Sequence, residues 1–227
     1  MGLMTAGLNA ADNAGAFIEK GLSARAAGLA QSYTAIAKDS DATYWNPAAL
    51  YKLEQSELSI QGADAYDTQT IAVQGAFTYK EIPIGLQYIG ASIDGFDETI
   101  ADEDRPGFFE KTGKSYDYRA DALYIGTGKQ MRPTLALGVT GKILREEAAG
   151  YKAVGVGLDM GILSEPTPAV ALGLMFQNII QPQMKWDTPA KSVDTVPRRI
   201  KLGARYDMIP NQWTLSSDLV AQNNRPV

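Results

Sequence analysis

Residues 151–163 read YKAVGVGLDMGIL, and their pattern decides the fold. Val154, Val156, Leu158, Met160 and Ile162 alternate with Ala153, Gly155, Gly157, Asp159 and Gly161. Successive side chains of an extended strand point to opposite faces, so one face here is continuously apolar. From Ala153 to Gly161 the other carries only glycine, alanine and one carboxylate. A soluble sandwich buries its apolar face and offers large polar side chains to water on the opposite one. Small residues suit a crowded, enclosed space instead, which leaves the apolar face for hydrocarbon. That is the arrangement of a membrane β-barrel. A soluble β-sandwich binding module remains the alternative, and it would purify without detergent as a monomer.

The same design repeats outward from this stretch. Ala169–Gln177 sets Val170, Leu172, Leu174 and Phe176 against Ala171, Gly173 and Gln177, with Met175 as the exception. Thr134–Arg145 sets Leu135, Leu137, Val139 and Ile143 against Ala136, Gly138, Thr140 and Lys142. Arg198–Tyr206 sets Ile200, Leu202, Ala204 and Tyr206 against Arg199, Lys201, Gly203 and Arg205. Weaker alternation occurs at Glu57–Tyr66, Thr70–Tyr79, Ile82–Ile93, Tyr118–Gly128 and Gln212–Val220. The expected total is about nine strands of roughly ten residues, enough for a tilted strand to cross a bilayer. Links are short at Lys80-Glu81 and Pro166-Thr167-Pro168, longer at Gln181–Pro197, and longest at the acidic stretch Asp94–Asp117, expected as an external, solvated loop.

Composition narrows the chemistry. The 227 residues carry a net charge of −5, so no basic field is available for nucleic acid. There is no Cys and no His, which removes thiolate chemistry and the commonest general base and transition-metal ligand. Neither an enzyme nor a bound cofactor is expected. The glycines of 155–161 have the spacing Gly-x-Gly-x-x-x-Gly and no following helix, so they read as strand glycines rather than a dinucleotide loop. The acidic stretch lacks the order of a calcium loop. No run of about 18 apolar residues offers a spanning helix.

The N-terminal part differs from the rest. Residues 1–16 are small and apolar, with Ala14-Gly15-Ala16 and, more weakly, Leu8-Asn9-Ala10 in the form of a cleavage site. They read as the remnant of a signal peptide or an unstructured start. Residues 17–53 form a separate small-residue segment, and residues 54–227 hold the strands. In that segment Asn46-Pro47-Ala48 predicts a turn opening a short helix, with Asn46 as N-cap and Pro47 at the first helical position. Arg25, Asp39 and Asp41 are candidates for pairing with one another, and Trp45 and Asn46 for either packing or gating.

The stretch GLSARAAGLAQSYTAIAKDSDATYWNPAAL (21–50) resembles the N-terminal hatch of FadL-like outer-membrane proteins, especially the PorV/PorQ-like branch. The likeness continues through Lys142, GVGLDMGIL (155–163), LGLMFQN (172–178), VPRRIKLGARY (196–206) and LSSDL (215–219). The resemblance implies an all-β, antiparallel transmembrane barrel in the cell outer membrane, with Arg25, Asp39, Asp41, Trp45, Asn46 and Pro47 in the hatch. It also implies a chain ending on an aromatic residue, whereas this one stops at Asn223-Asn224-Arg225-Pro226-Val227 with an odd strand count. The expectation is an incomplete barrel, truncated at its C-terminus.

Lys142, Asp159, Arg199, Lys201 and Arg205 share the small-residue face, so they are expected in the lumen, bracing the hatch or meeting a substrate's carboxylate. The expected partners are membrane lipid or lipopolysaccharide and a hydrophobic small molecule. Passive uptake of compounds such as long-chain fatty acids is the first functional expectation. The alternative is a PorV-like component of the type IX protein secretion system, with secretion-system proteins as partners.

Overall fold

The computed structural model describes residues 14–19, 21–65, 67–102, 105–209 and 212–223. Leu8-Asn9-Ala10 and the rest of residues 1–13 lie outside the described residues, as do Glu103, Asp104 and residues 224–227. The strands are β1 (Glu57–Ala65), β2 (Thr68–Tyr79), β3 (Ile82–Ala101), β4 (Phe109–Arg132), β5 (Leu135–Ala148), β6 (Tyr151–Thr167), β7 (Val170–Ile180), β8 (Gln183–Trp186), β9 (Val193–Thr195), β10 (Arg198–Ile209) and β11 (Trp213–Asn223). They form one antiparallel sheet in the order β1-β2-β3-β4-β5-β6-β7-β10-β11, and β8 and β9 make a side hairpin on β6. Among the described residues β1 and β11 have no pairing with each other, so the sheet is an open, curled wall.

Two connections differ from expectation. The stretch 94–117 is not one long loop: β3 runs on to Ala101 and β4 begins at Phe109. Gly95, at φ 74°, sits in a register shift between Ile93 and Phe96. That bulge inserts one residue and returns Phe96 to the inward face beside Ile93, breaking the two-residue period by which the strand would have been recognised. Phe96 then stacks on Tyr116, ring centroids 5.7 Å apart. Likewise Gln181–Pro197 contains the β8–β9 hairpin, which folds over the inner face of β6. Met184 and Pro182 occupy the space that side chains at Gly155 and Gly157 would need.

The turns sort onto two rims. Residues 80–81, 133–134 and 168–169 close one rim tightly; the other carries both long excursions, the β3–β4 tip and the 181–197 connection, beside the tight turn at 149–150. Short turns on one side and long excursions on the other match an outer-membrane barrel. The two faces of the wall match as well. Val156 is 60% exposed and Leu202 50%, while Gly155, Asp159, Lys201 and Gly203 are buried. Leu58, Ile60, Leu123, Ile125, Ile143, Val154 and Leu219 are exposed on the same outer surface. This is far more contiguous apolar area than a soluble monomer leaves in water. Core packing lies on the inside, against the N-terminal segment, where Ile89, Tyr124, Leu144 and Leu163 cluster with Trp45 and Leu50. Among the described residues no helix is long and apolar enough to cross a membrane, which says nothing of strands.

Candidate functional site

The N-terminal segment threads down the inside of the wall as short helical turns. Ser23 caps the turn Ala24–Gly28, accepting from the Ala26 N–H at 3.2 Å, and its hydroxyl donates to Asp41 at 3.0 Å. Arg25 pairs with Asp39 at 2.9 Å and with Glu57 at 3.6 Å rather than with Asp41. Asp41 is buried, and burial pushes its carboxyl above the usual range against the opposing Ser23 bond. Burial and the nearby Asp41 also push the Tyr33 phenol up to about 12. Asn46 has the expected cap geometry: its side chain accepts from the Ala48 N–H and Pro47 follows at the helix start. Its amide also donates to the carbonyls of Thr34 (2.9 Å) and Ile162 (3.1 Å), tying the hatch to β6. Trp45 is buried edge-on between Tyr33 and Tyr44.

The wall charges do not form one ladder. Lys142 and Asp159 make a fully buried pair at 2.7 Å, and Asp159 also accepts from the Asn178 N–H at 2.6 Å. Among the described residues no carboxylate lies within ion-pair distance of Lys201; its ammonium lies 4.5 Å from the Trp45 ring centroid and 5.3 Å from that of Tyr44. A desolvated cation over aromatic faces recovers part of its lost hydration. Arg199 pairs with Glu19 and donates to the Glu19 carbonyl at 2.6 Å. Arg205 is separate, near the short-turn rim, facing Asp207 (3.4 Å) and Glu165 (3.8 Å). Glu165 in turn receives Tyr51 (2.7 Å) and Lys52 (2.6 Å) from the hatch.

Four carboxylates unmarked by the sequence reading hold the hatch. Glu165 is one. Asp218 on β11 accepts from the backbone N–H groups of Tyr33 (3.2 Å) and Thr34 (3.0 Å). Glu146 on β5 accepts from Gly15 at 3.0 Å and from Tyr118. Strand parity was the available signal for Asp218, which shares the inward face with its neighbours across β10. On β1, Gln61 accepts from the Ala24 N–H (2.5 Å) and Glu57 from the Ser40 N–H (2.8 Å).

Toward the short-turn rim the interior is filled. A side-chain carbon at Gly128 or Gly138 would overlap Pro47 and Ala48, one at Gly161 would overlap Asn46, and one at Gly173 would overlap Thr34. Absence of a Cβ is what lets the hatch backbone lie against the strands. Toward the other rim a strap, residues 14–19, crosses the lumen between Gly15 and Gly21, both at positive φ. Glu146, Arg199 and the Tyr44 hydroxyl hold it, the last donating to the carbonyls of Ile18 (2.5 Å) and Glu19 (3.1 Å). On one side of the strap lies an apolar cavity of about 600 Å³ lined by Phe17, Leu22, Ile93, Phe96, Tyr116 and Tyr118. Its size falls within the range of small-molecule sites. On the other side is a polar cavity of about 240 Å³ flanked by Lys142, Gln177, Asn178 and Arg199. Among the described residues no group of three or more His, Cys, Asp or Glu is placed to hold a metal ion.

No protein-family model matches this sequence, and no curated protein matches it. The structure is similar to that of a monoaromatic hydrocarbon channel, the deltaS2S3 mutant of TodX, with a TM-score of 0.54 at 12% identity. The match covers 81% of this chain and 65% of that one, so the chain spans slightly less than two thirds of the channel's length. At this identity the likeness shows the fold alone: an all-β, antiparallel, barrel-like wall.

Proposed function

We propose that the chain forms wall and hatch of an outer-membrane channel admitting hydrophobic small molecules, such as long-chain fatty acids or aromatic hydrocarbons, without an energy source. The observation that carries this reading is the apolar cavity of about 600 Å³ under the long-excursion rim, inside a wall whose outer surface is apolar. A molecule entering past the rim would rest among Phe17, Phe96 and Tyr116, above the strap. The TodX likeness supports a hydrophobic cargo of this general kind. The test is binding of a nonpolar fluorescent probe, N-phenylnaphthylamine, to the protein in lipid nanodiscs. Phe17→Asp is expected to weaken binding at least about tenfold, since a carboxylate there would be desolvated by the ligand. Undiminished binding in that variant would place the ligand elsewhere and remove the support for this reading.

The packed lower lumen favours a second reading. With hatch backbone pressed against Gly128, Gly138, Gly161 and Gly173, no path is left between the hatch and strands β4–β7 at those positions. A PorV-like member of a type IX secretion assembly needs no such path. It predicts co-purification with other components of that system and no uptake of probe into liposomes carrying the protein.

A further inference from the structure

Residues 94–117 contain eight acidic side chains and three basic ones, a net of −5 that equals the charge of the entire chain. The rest of the sequence is neutral on balance. In the structure these residues are the part of the β3–β4 hairpin that stands beyond its neighbours. Pairing of β2 with β3 stops at Ser92, and pairing of β5 with β4 begins at Tyr118. Among the described residues the arm therefore carries unpaired backbone edges on both sides, for roughly 26 Å between Ile93 and Ala101. Two of its three basic residues are engaged internally: Lys111 pairs with Asp97, and Arg105 pairs with Asp102 and Glu110, while Lys114 lies on β4, away from the β3 edge. Asp94 and Glu98 meet no basic side chain among the described residues. Ile100, Phe108 and Phe109 are each more than half exposed at the tip. Their acidic surroundings oppose insertion of the arm into hydrocarbon.

An unguarded strand edge is a template for another strand. Here the edge is flanked by uncompensated negative charge and an apolar tip. The β3 side is the better prepared, because a cleft of about 480 Å³ beside it is flanked by Asp64, Asp67, Asp94 and Asp97. We propose that the β3–β4 arm is a docking strip for an extended, Lys/Arg-rich segment of a partner polypeptide, added as a further strand along β3. Backbone hydrogen bonds would supply the pairing, and alternate basic side chains would enter the acidic cleft. This inference is independent of what crosses the lumen.

The test uses the full chain in nanodiscs with two octapeptide probes, one alternating Lys with Val and the other Glu with Val. The Lys peptide is expected to bind, to weaken about tenfold between about 50 and 200 mM salt, and to slow amide exchange within 93–101. Neutralising the cleft (Asp64→Asn, Asp94→Asn, Asp97→Asn) is expected to weaken binding about tenfold, with unheated gel mobility and circular dichroism unchanged. If those spectra change, single Asp94→Asn in the same assay carries the comparison. Equal binding of the Glu peptide, or protection elsewhere in the chain, would overturn the proposal. So would protection of 93–101 by nanodisc lipid alone, which would make the arm a membrane contact.

Discussion

Asn46 concentrates three hydrogen bonds on one buried side chain: the cap on Ala48 and the bonds to the Thr34 and Ile162 carbonyls. Asn46→Ala leaves those partners buried and unpaired, at a cost on the order of 3 kcal/mol. The check is the denaturant midpoint of hatch release, followed by Trp45 emission after Trp186 and Trp213 are replaced by Phe. A shift equivalent to under about 0.5 kcal/mol would remove Asn46 as the anchor. Asp41 predicts a pH effect at the same scale. Its folded carboxyl titrates above its unfolded value because burial disfavours the charge. Below the unfolded value both states are protonated and no penalty exists; as pH rises through the folded value the penalty develops fully. Hatch release should therefore become easier with rising pH across that window, and Asp41→Asn should flatten the trend. A wild-type profile already flat there would contradict the assignment.

At the scale of elements, the hatch and the strand glycines form one joint. Gly138→Val drives two methyl groups into Pro47 and Ala48, so the hatch is expected to leave its seat while the wall keeps its pairing. Limited proteolysis should then cut within 17–53, with strand content by circular dichroism retained. Protection equal to wild type would mean that the contact yields. Much of this level was legible in the sequence. The two-residue alternation gave the strands of β5, β6, β7 and β10 and their faces, and Asn46-Pro47 gave the cap, because both signals are local. Contacts between distant residues were not legible. Nothing near Asp218 announces that its partners are the amides of Tyr33 and Thr34, and nothing near Arg205 separates it from Lys201, which has the same parity. The arm was hidden for another reason. The Gly95 bulge shifts the phase of β3, and the acid density of 94–117 reads as a solvated loop unless the cross-strand pairing is known.

At the scale of the molecule, the sheet has two margins unpaired among the described residues, β1 and β11, and each would be costly in hydrocarbon without a neighbour. The hatch touches both: Gln61 and Glu57 hold it on one side, and Asp218 holds it on the other. Replacing Asp218 by Ala is expected to widen the separation between spin labels at Ser59 and Ser217 and to broaden its distribution, read by electron paramagnetic resonance. An unchanged, narrow distribution would show that wall curvature alone sets that spacing. The hatch is thus more than a stopper. Its bonds to β1 and β11 place it as a keystone in an arch, wedged between two springing points whose spacing it is expected to hold.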